Sequence, residues 1–417
     1  MQRLQPVRGT RDLLPDECTR HRLVAETARS VAERASYREI ATPIIEFTDV
    51  FSRTLGEATD VVTKEMYTFQ DRSGDSISLR PENTAGVVRA VISGGLTQTL
   101  PLKFFYNGPM FRHERPQKGR LRQFHQIGVE LIGVPEPLGD VEVIALGAEL
   151  LERLGVAGKT RLELNSLGDA ASREIYRDAL VAHLNERRAS LSEDSRARLE
   201  HNPMRVLDSK DQQDRKVIES APSMLDHLNA ESRAFFDSVC RGLATLGIAY
   251  ELSPRLVRGL DYYCHTAFEF TTDALGAQGA VIAGGRYDGL VEQMGGPATP
   301  GVGWAGGIER LAMLLDDATP GPRPIALMPV GTQAQATALA LGRRLRAAGF
   351  VVDFGYRGNL KKGLRHADRI GACAALLIGE DELARASATL RDLDSGAQEA
   401  VPFDELEARL ERYRPVS

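Results

Sequence analysis

The sequence predicts two domains of different class, an α+β domain over residues 1–322 and an α/β domain over residues 323–417. Strand-like segments lie on both sides of a charged, mostly helical block at about 170–250, which indicates a helical insertion. The stretch 316–324 is rich in Pro, Gly and Asp, as expected of a linker. Beyond it, apolar runs alternate with helical patterns, which is typical of β-α-β units and a mixed, mostly parallel sheet.

The first elements follow from local patterns. Residues 16–35 carry apolar side chains at helical spacing and predict a helix. The segment 37–46 begins as a strand, and Pro43 fits an edge strand or a strand end. Two apolar runs, 101–111 and 124–134, predict two strands joined by a long charged loop.

The later elements alternate in the same way. A helix is expected at 138–156, and residues 255–315 return to strands and Gly-rich turns that end in a helix at 306–315. The C-terminal elements are predicted as a strand at 325–330, a helix at 334–348, a strand at 350–354, a helix at 359–370 and a strand at 373–378.

Composition excludes several classes of protein. The chain has 417 residues, 42% of them hydrophobic and 26% charged, which are ordinary globular values. Its net charge of −5 excludes a uniformly basic nucleic-acid-binding surface, so any polyanion site must be local. The start lacks a signal-peptide core, and no run approaches the ~18 apolar residues of a membrane span. We therefore expect a cytoplasmic protein. The four cysteines are too far apart to indicate a metal or redox pair: Cys18, Cys240, Cys264 and Cys373.

The densest functional cluster is the loop between the two predicted strands. Residues 110–126 hold five Arg or Lys against one carboxylate, and the arginine fork suits phosphate oxygens. Arg112 and Glu114 are predicted near the end of the first strand, two apart and therefore on one face. Phe124 and Gln126 begin the return strand with the same spacing. This surface could stack a base, pair its amino group and bind a phosphate; the alternative is a solvated loop.

Four other segments carry weaker signals. Residues 79–85 place a carboxylate, an amide and a hydroxyl at a strand-to-helix junction, where Asn83 or Thr84 could instead serve only as an N-cap. Residues 283–290 contain adjacent glycines that allow close approach to a ligand or form a hairpin turn. The segments 255–266 and 301–311 could bind a ligand or could only pack secondary-structure elements together. The segment 301–311 matches neither a Walker loop nor a dinucleotide-binding fingerprint. The scattered His113, His125 and His265 give no clustered ligand set, so no metal site is expected.

Taken together, the segments resemble a class II aminoacyl-tRNA synthetase and, within that class, the bacterial histidyl-tRNA synthetase family. Residues 37–46 are similar to the first class motif, 111–130 to the second and 301–311 to the third. The segments 258–263 (Arg-Gly-Leu-Asp-Tyr-Tyr) and 284–289 (Gly-Gly-Arg-Tyr-Asp-Gly) resemble the two histidine-specific signatures, and Arg8-Gly9-Thr10-Arg11-Asp12 resembles the opening motif. The resemblance covers essentially the whole chain.

The resemblance implies a catalytic domain with an antiparallel sheet flanked by helices, and a specific set of site residues. Arg112 and Arg258 would be catalytic at the α-phosphate of ATP, with Arg258 replacing a metal ion. Glu114 would accept from the adenine amino group, Phe124 would stack on adenine and Arg310 would hold phosphates. The implied ATP-binding residues are Arg112, Glu114, Arg120, Phe124 and Arg310. The implied histidine-binding residues are Glu82, Asn83, Thr84, Arg112, Gln126, Glu130, Arg258, Tyr262, Tyr263 and Tyr287.

The same resemblance implies a histidine–tRNA ligase that uses ATP with Mg²⁺ and L-histidine and charges a histidine tRNA. The first motif implies a homodimer, and residues 323–417 an anticodon-binding domain. Phe354 and Tyr356 would be base-stacking residues in that domain. Eight basic residues surround them: Arg343, Arg344, Arg346, Arg357, Lys361, Lys362, Arg365 and Arg369.

The chain departs from the expected pattern at Asn83, Leu121 and Cys264, and Leu121 leaves open how the acceptor end of the tRNA is read. Three alternatives stand beside this interpretation. The chain could be the synthetase-like regulatory subunit of ATP phosphoribosyltransferase, although such paralogues lack the anticodon domain. It could be a class II enzyme specific for another amino acid, such as threonine or proline, but the two histidine signatures argue against this. It could be a nucleic-acid-binding module without enzymatic activity, but the acidic net charge and the ATP-binding residues argue against this.

Overall fold

The computed structural model describes residues 3–56, 59, 61–209, 211–257, 260, 262–276, 279–316, 321–356 and 359–414. The chain forms two compact units, residues 1–316 and 317–417. Among the described residues, no helix combines the length and apolar composition needed to cross a bilayer.

The N-terminal unit alternates helices with the strands of two sheets. Its helices are α1 (Pro15–Arg34), α2 (Asp49–Leu55), α3 (Thr84–Ser93), α4 (Pro137–Arg153), α5 (Ala170–Glu186), α6 (Glu193–His201), α7 (Gln212–Glu219), α8 (Ala230–Thr245), α9 (Leu290–Gln293) and α10 (Ile308–Leu314). Its strands are β1 (Arg38–Glu39), β2 (Ile45–Phe47), β3 (Tyr67–Gln70), β4 (Ser76–Leu79), β5 (Leu102–Phe111), β6 (Gln123–Ile132), β7 (Arg161–Ser166), β8 (Glu251–Leu252), β9 (Cys264–Thr271), β10 (Ala280–Arg286) and β11 (Gly301–Gly307).

An eight-stranded sheet in the order β1-β5-β6-β11-β10-β9-β7-β8 is the framework of this unit. Its six central strands pair antiparallel, and only the short edge strands β1 and β8 pair parallel to their neighbours. Helices α1, α4, α8 and α10 supply apolar residues to the main core on the sheet. The predicted antiparallel sheet flanked by helices is therefore confirmed. A smaller sheet, β2-β4-β3, completes the unit, and Pro43 lies between β1 and β2, where the chain passes from one sheet to the other.

The predicted helical block divides between two cores. Tyr176 and Leu180 of α5 pack with α6 and α7 in a separate apolar cluster. Phe236, Val239 and Leu243 of α8 instead pack into the main core of the large sheet. The last helix of the block thus belongs structurally to the sheet, because its apolar stripe faces α4 rather than the other inserted helices.

The C-terminal unit is an α/β layer structure. Its elements are β12 (Ile325–Pro329), α11 (Ala334–Ala347), β13 (Val352–Phe354), α12 (Leu360–Arg369), β14 (Ala374–Ile378), α13 (Glu380–Ala384), β15 (Ser387–Asp392), β16 (Gln398–Pro402) and α14 (Leu406–Leu410). The strand order is β13-β12-β14-β15-β16, with parallel pairing around β12 and antiparallel pairing from β14 to β16. The mixed sheet is confirmed; its antiparallel half comes from a C-terminal hairpin that follows the alternating β-α units.

A fully buried ion pair joins α4 to the end of β10. The side chains of Arg286 and Asp140 have no exposed surface, and the Arg286 guanidinium also donates to Asp288 and to the carbonyl oxygen of Val134. Its cationic face lies 5.1 Å from the Phe235 ring centroid. A buried guanidinium is stable only when such partners surround it. In the sequence, Arg286 lies in the Gly-Gly-Arg-Tyr-Asp segment, and the structure gives it this packing role.

Loss of the Asp140 carboxylate should be costly because it leaves Arg286 buried with only one anionic partner. We expect Asp140→Ala to lower the free energy of unfolding by about 3 kcal/mol. Urea unfolding followed by the fluorescence of Trp304, the single tryptophan and a buried residue of the same unit, measures this. The control is Asp49→Ala, which removes an exposed pair with Arg53 and should cost less than about 0.5 kcal/mol. Equal costs for the two variants would contradict the role of the buried pair.

Candidate active site

A cavity of about 290 Å³ opens on the large sheet, between the start of α3, strand β6, the loop after β5 and helix α10. Ten of the sequence-predicted site residues line it: Glu82, Thr84, Arg112, Glu114, Arg120, Phe124, Gln126, Tyr262, Tyr263 and Arg310. Two more, Glu130 and Tyr287, are buried beneath its wall. Arg258 lies outside the described residues. Segments far apart in the sequence thus meet at one place.

The long charged loop differs from its prediction at its first residues. Strand β5 ends at Phe111, so Arg112 and Glu114 follow the strand and do not share a face through strand alternation. Other contacts bring them together: the Arg112 Nε donates to the carbonyl oxygen of Pro81 at 2.8 Å, and its Nη1 lies 4.0 Å from Glu114 Oε1. Glu114 is buried and also pairs with Arg120. Hydrogen bonding across the loop, rather than the pleat, therefore sets this geometry.

One end of the cavity is cationic. The Arg310 Nε donates to the carbonyl oxygen of Gly119 at 3.0 Å and its Nη1 to that of Ala280 at 2.7 Å, which fixes the side chain across the loop. Burial lowers the pKa of Arg310, and the charges of Arg120 and Arg112 lower it further. Three guanidinium groups close enough to repel one another are stabilised by an anionic ligand that bridges them.

An aromatic plate lies beside these cations. The Arg112 guanidinium lies 5.5 Å from the centroid of the Phe124 ring, on the return strand β6. Phe124 and Gln126 are two apart on that strand and both face the cavity, as predicted from their spacing. The Gln126 Oε1 is buried and has no hydrogen-bond partner among the residues that the structure describes. A buried acceptor of this kind needs a donor, and the cavity is where a ligand could supply one.

The other end of the cavity is acidic. Glu82 accepts hydrogen bonds from the backbone N–H groups of Thr84 at 2.7 Å and Ala85 at 2.9 Å, at the start of α3. The Thr84 hydroxyl donates to Glu130 Oε1 at 2.7 Å. The alternative that Asn83 or Thr84 serves only as a side-chain cap of α3 is wrong: Asn83 makes no side-chain cap bond, and Glu82 accepts from the first N–H groups instead.

Asn83 does not line the cavity. Its Oδ1 accepts from the Thr42 hydroxyl at 2.7 Å and from Arg80 Nη1 at 3.1 Å, on the side away from the other predicted site residues. The structure thus gives the Asn83 side chain hydrogen bonds to Thr42 and Arg80 rather than a place in the cavity wall. A direct contact between Asn83 and a ligand remains a sequence-based prediction that this geometry does not favour.

Glu130 is a buried carboxyl group with a raised pKa. It is fully buried on β6, and its second oxygen accepts a hydrogen bond from the Tyr287 hydroxyl. Burial raises the pKa of Glu130 to about 8, and the charge of Glu82 adds to the increase, although the two hydroxyl donors oppose it. Burial also raises the pKa of Glu82. At neutral pH this end of the cavity therefore holds a proton on Glu130.

Aromatic residues form the wall beside Glu130. The rings of Tyr262 and Tyr263 lie 4.6 Å apart between centroids, and those of Tyr262 and Tyr287 lie 5.9 Å apart. Two glycines make this packing possible. A Cβ at Gly303 would overlap the Glu130 carboxylate, and one at Gly285 would lie 2.9 Å from the Tyr263 ring. The adjacent Gly284 and Gly285 lie inside strand β10, so the hairpin-turn alternative is wrong, and the close approach at Gly285 is to the Tyr263 ring rather than to the cavity.

Sequence reasoning missed the support behind this surface. Both Glu309 oxygens lie 3.0 Å from the backbone N of His125, and one lies 2.9 Å from its Nδ1. Glu309 directly precedes Arg310 on α10, so this bond ties the helix that carries Arg310 to β6. Ligand atoms of His21, His125 and Glu309 lie within 4.8 Å of one another and could hold a cation, but hydrogen bonding already accounts for the Glu309 side chain. The adjacency of Glu309 to Arg310 was the one signal available in the sequence.

The shifted pKa of Glu130 predicts a specific pH dependence. The folded state keeps a proton that the unfolded state releases between pH 4.5 and about 8, so this residue makes the free energy of unfolding fall as pH rises through that window. Glu130→Gln removes the effect, and its stability relative to the unmodified protein should increase from about pH 5 to about pH 9. Urea unfolding followed by Trp304 fluorescence measures the difference. The exposed-carboxylate control Glu174→Gln should give a constant difference; a constant difference for Glu130→Gln as well would contradict the assignment.

Comparison with known proteins identifies the family. Residues 9–311 match the model of the histidyl-tRNA synthetase family, and residues 325–413 match that of an anticodon binding domain. A protein of Rhodospirillum rubrum named histidine–tRNA ligase is 64% identical over 414 residues, 99% of this chain and 100% of its own. A protein of the same name from Gluconacetobacter diazotrophicus is 56% identical over 97% of each chain.

Solved structures agree. The apo histidyl-tRNA synthetase of S. aureus superimposes with a TM-score of 0.82 at 36% identity, over 98% of this chain and 99% of that one. A Bacillus halodurans protein described as an ATP phosphoribosyltransferase regulatory subunit/histidyl-tRNA synthetase shares the fold, with a TM-score of 0.66 at 22% identity over 90% of this chain and 98% of that one. Full-length matches in sequence and structure agree with the site geometry, and the chain belongs to the histidyl-tRNA synthetase family.

Proposed function

We propose that the chain is a histidine–tRNA ligase whose cavity binds ATP at its arginine end and L-histidine at its carboxylate end. The reaction joins the histidine carboxylate to the α-phosphate with release of pyrophosphate, and the histidyl group then passes to the 3′ end of a histidine tRNA. The observation that carries the assignment is the polarity of the cavity, with Arg112, Arg120 and Arg310 at one end and Glu82 and Glu130 at the other.

At the arginine end, the adenine ring stacks on Phe124 and its amino group donates to Glu114. The phosphates lie between Arg112 and Arg310. Glu114 now pairs with Arg120, so nucleotide binding exchanges that partner for the adenine amino group and frees Arg120 for a phosphate. Glu269 also lines the cavity, and its carboxylate oxygens are ligands of the kind that Mg²⁺ prefers. Mg²⁺ that enters with ATP would neutralise charge on the pyrophosphate.

Formation of the histidyl-adenylate requires little acid–base catalysis. A histidine carboxylate oxygen attacks the α-phosphorus in line with the departing pyrophosphate oxygen, and no proton moves in that step. Positioning and stabilisation of phosphate charge therefore supply most of the acceleration. Arg112 is placed for this role, and we assign the same role to Arg258 on the basis of its sequence motif.

At the carboxylate end, Glu82, Thr84 and Gln126 surround the amino group of the substrate. The Gln126 Oε1, which has no hydrogen-bond partner among the described residues, accepts a hydrogen bond from this amino group. Glu130, with Tyr263 and Tyr287, contacts the imidazole ring. A side chain of similar size that cannot share a proton with the Glu130 carboxyl would lack this interaction, and the difference in binding free energy gives selectivity for histidine.

The C-terminal unit provides a surface for tRNA. Tyr356 is 88% exposed and its ring centroid lies 5.7 Å from that of Phe354, next to the basic helix α12. An exposed tyrosine with a partly buried phenylalanine beside it, close to Lys and Arg, suits single-stranded bases, which the anticodon supplies. The match of residues 325–413 to an anticodon binding domain favours the ligase over the regulatory alternative.

We further propose a cytoplasmic homodimer formed through the small sheet. Phe47 of β2 and Phe69 of β3 both pair in register with Ile77 of the central strand β4. Phe47 is 60% exposed and Phe69 is 47% exposed, so the two rings and Ile77 form an apolar strip across the small sheet. The segment similar to the first class motif, residues 37–46, leads into β2 of this sheet. An exposed strip of this kind is typical of a protein interface.

Histidine-dependent exchange of pyrophosphate into ATP tests the activity at the site. We expect exchange with L-histidine alone in a panel of amino acids. Arg112→Ala and Arg258→Ala should each reduce the rate by about 10²–10³, because each removes a donor to the charged phosphate. Arg115→Ala is the matched control, since Arg115 is exposed on the same loop and does not line the cavity.

The outcome separates the candidate functions. Histidine-specific exchange that survives in Arg115→Ala and is lost in Arg112→Ala supports the proposal. A folded protein that binds ATP but shows no exchange with any amino acid contradicts it and favours the regulatory alternative. Exchange with another amino acid would show that the activity is right but that the proposed histidine specificity of the pocket is wrong.

A further inference from the structure

The opening motif of the chain forms a turn that no step of the proposed reaction uses. The backbone N–H and the hydroxyl of Thr10 both donate to the carbonyl oxygen of Val7, at 2.8 and 2.7 Å, and close residues 7–10 into a turn, which we call the N-terminal strap. Gly9 has φ = +87° at the third position of this turn, a conformation that other residues adopt only with strain. The opening motif therefore specifies the backbone conformation of a tight turn over residues 7–10.

The strap lies directly against Arg122, at the end of the charged loop. The Arg122 N–H donates to the carbonyl oxygen of Gly9 at 2.7 Å, and its Nη1 donates to that of Arg8 at 3.3 Å. A Cβ at Gly9 would lie only 2.7 Å from the Arg122 Cγ and 3.0 Å from the Pro116 Cγ. Glycine is thus required both for the turn and for its close contact with the loop.

Arg122 in turn holds the two residues that begin the nucleotide site. Its carbonyl oxygen accepts from the Arg112 N–H at 2.9 Å, and its Nε donates to the carbonyl oxygen of Glu114 at 3.2 Å. One residue therefore connects the strap to the backbone of both Arg112 and Glu114.

The strap is anchored at its other end by α1. Arg11, the residue after the turn, pairs with Glu17 at 2.7 Å. The buried face of α1, including Val24 and Val31, packs in the main core with Leu311 of α10. A fixed helix, the strap and Arg122 thus form a continuous path to the loop.

We propose that the N-terminal strap is a positioning element for ATP, which holds the loop so that Arg112 and Glu114 face the nucleotide. This inference rests on the proposed function, because that function assigns Arg112 and Glu114 to ATP. Among the described residues, the strap neither lines the cavity nor has a recorded hydrogen bond to its carboxylate end. It should therefore act mainly on ATP and little on histidine.

Gly9→Ala tests the proposal in histidine-dependent ATP–pyrophosphate exchange with each substrate varied in turn. We expect the KM for ATP to rise about tenfold, as for the loss of one or two hydrogen bonds, with the KM for histidine changed less than about threefold and the Tm lowered no more than in the control variant. Gly74→Ala is the matched control. Gly74 has φ = +90° in an exposed turn, and no neighbour lies within 4 Å of its added Cβ, so it reports backbone strain alone.

Arg122→Ala tests the same connection from the loop side. It removes the two side-chain bonds of Arg122, to the carbonyl oxygens of Arg8 and Glu114, and leaves its backbone bonds to Gly9 and Arg112 in place. It should therefore raise the KM for ATP by a smaller factor, and the double variant should be no worse than Gly9→Ala alone, because both changes act through the same contact. Multiplied effects in the double variant would overturn the proposal.

The results also distinguish the strap from the proposed function. An unchanged KM for ATP in Gly9→Ala, while Arg112→Ala loses exchange, overturns the strap proposal and leaves the function standing. Equal increases in both KM values with a lowered Tm overturn it too, since they indicate a folding role only. No difference between Arg112→Ala and Arg115→Ala would contradict the proposed function itself.

Discussion

The burial of the Glu130 carboxyl group is the constraint on which the rest of the site depends. Among the residues that the structure describes, no lysine or arginine pairs with it, and hydroxyl groups of Thr84 and Tyr287 are its partners. Without a compensating cation, burial favours the protonated form. Such a group binds best to a ligand that can share its proton, and imidazole is the amino-acid side chain that does so near neutral pH.

This carboxyl group needs a sheet that brings distant segments together. Strand β6 carries Glu130, the neighbouring strand β11 gives it room at Gly303, α3 supplies Thr84, and Tyr287 follows β10. The same strand β6 carries Phe124 and Gln126 at even spacings from Glu130, so aromatic ring, amide and carboxyl group follow one another along it. In the proposed function the phosphates lie toward Arg310 and the histidine side chain toward Glu130, because cationic groups gather at one end of the cavity and carboxyl groups at the other.

Much of this could be predicted from the sequence, since the informative patterns are local. Period-two spacing on β6, helical spacing in α1 and glycine pairs in tight strands follow from backbone geometry. The missed features are non-local. Arg112 and Glu114 meet through hydrogen bonds across a loop, and Asn83 turns toward Thr42, 41 residues away in sequence. The contact between Glu309 and His125 spans 184 residues. Partners at such distances are fixed by tertiary packing, which spacing alone does not encode.

The proton balance of L-histidine binding tests the central claim most directly. Titration calorimetry in buffers of different ionisation enthalpy, at about pH 7 and about pH 9, gives the number of protons exchanged. If Glu130 and the imidazole share one proton, the difference between the unmodified enzyme and Glu130→Gln should be near zero at about pH 7 and approach the uptake of about one proton at about pH 9, above the pKa of Glu130. The same proton count for both proteins at the higher pH would contradict the account.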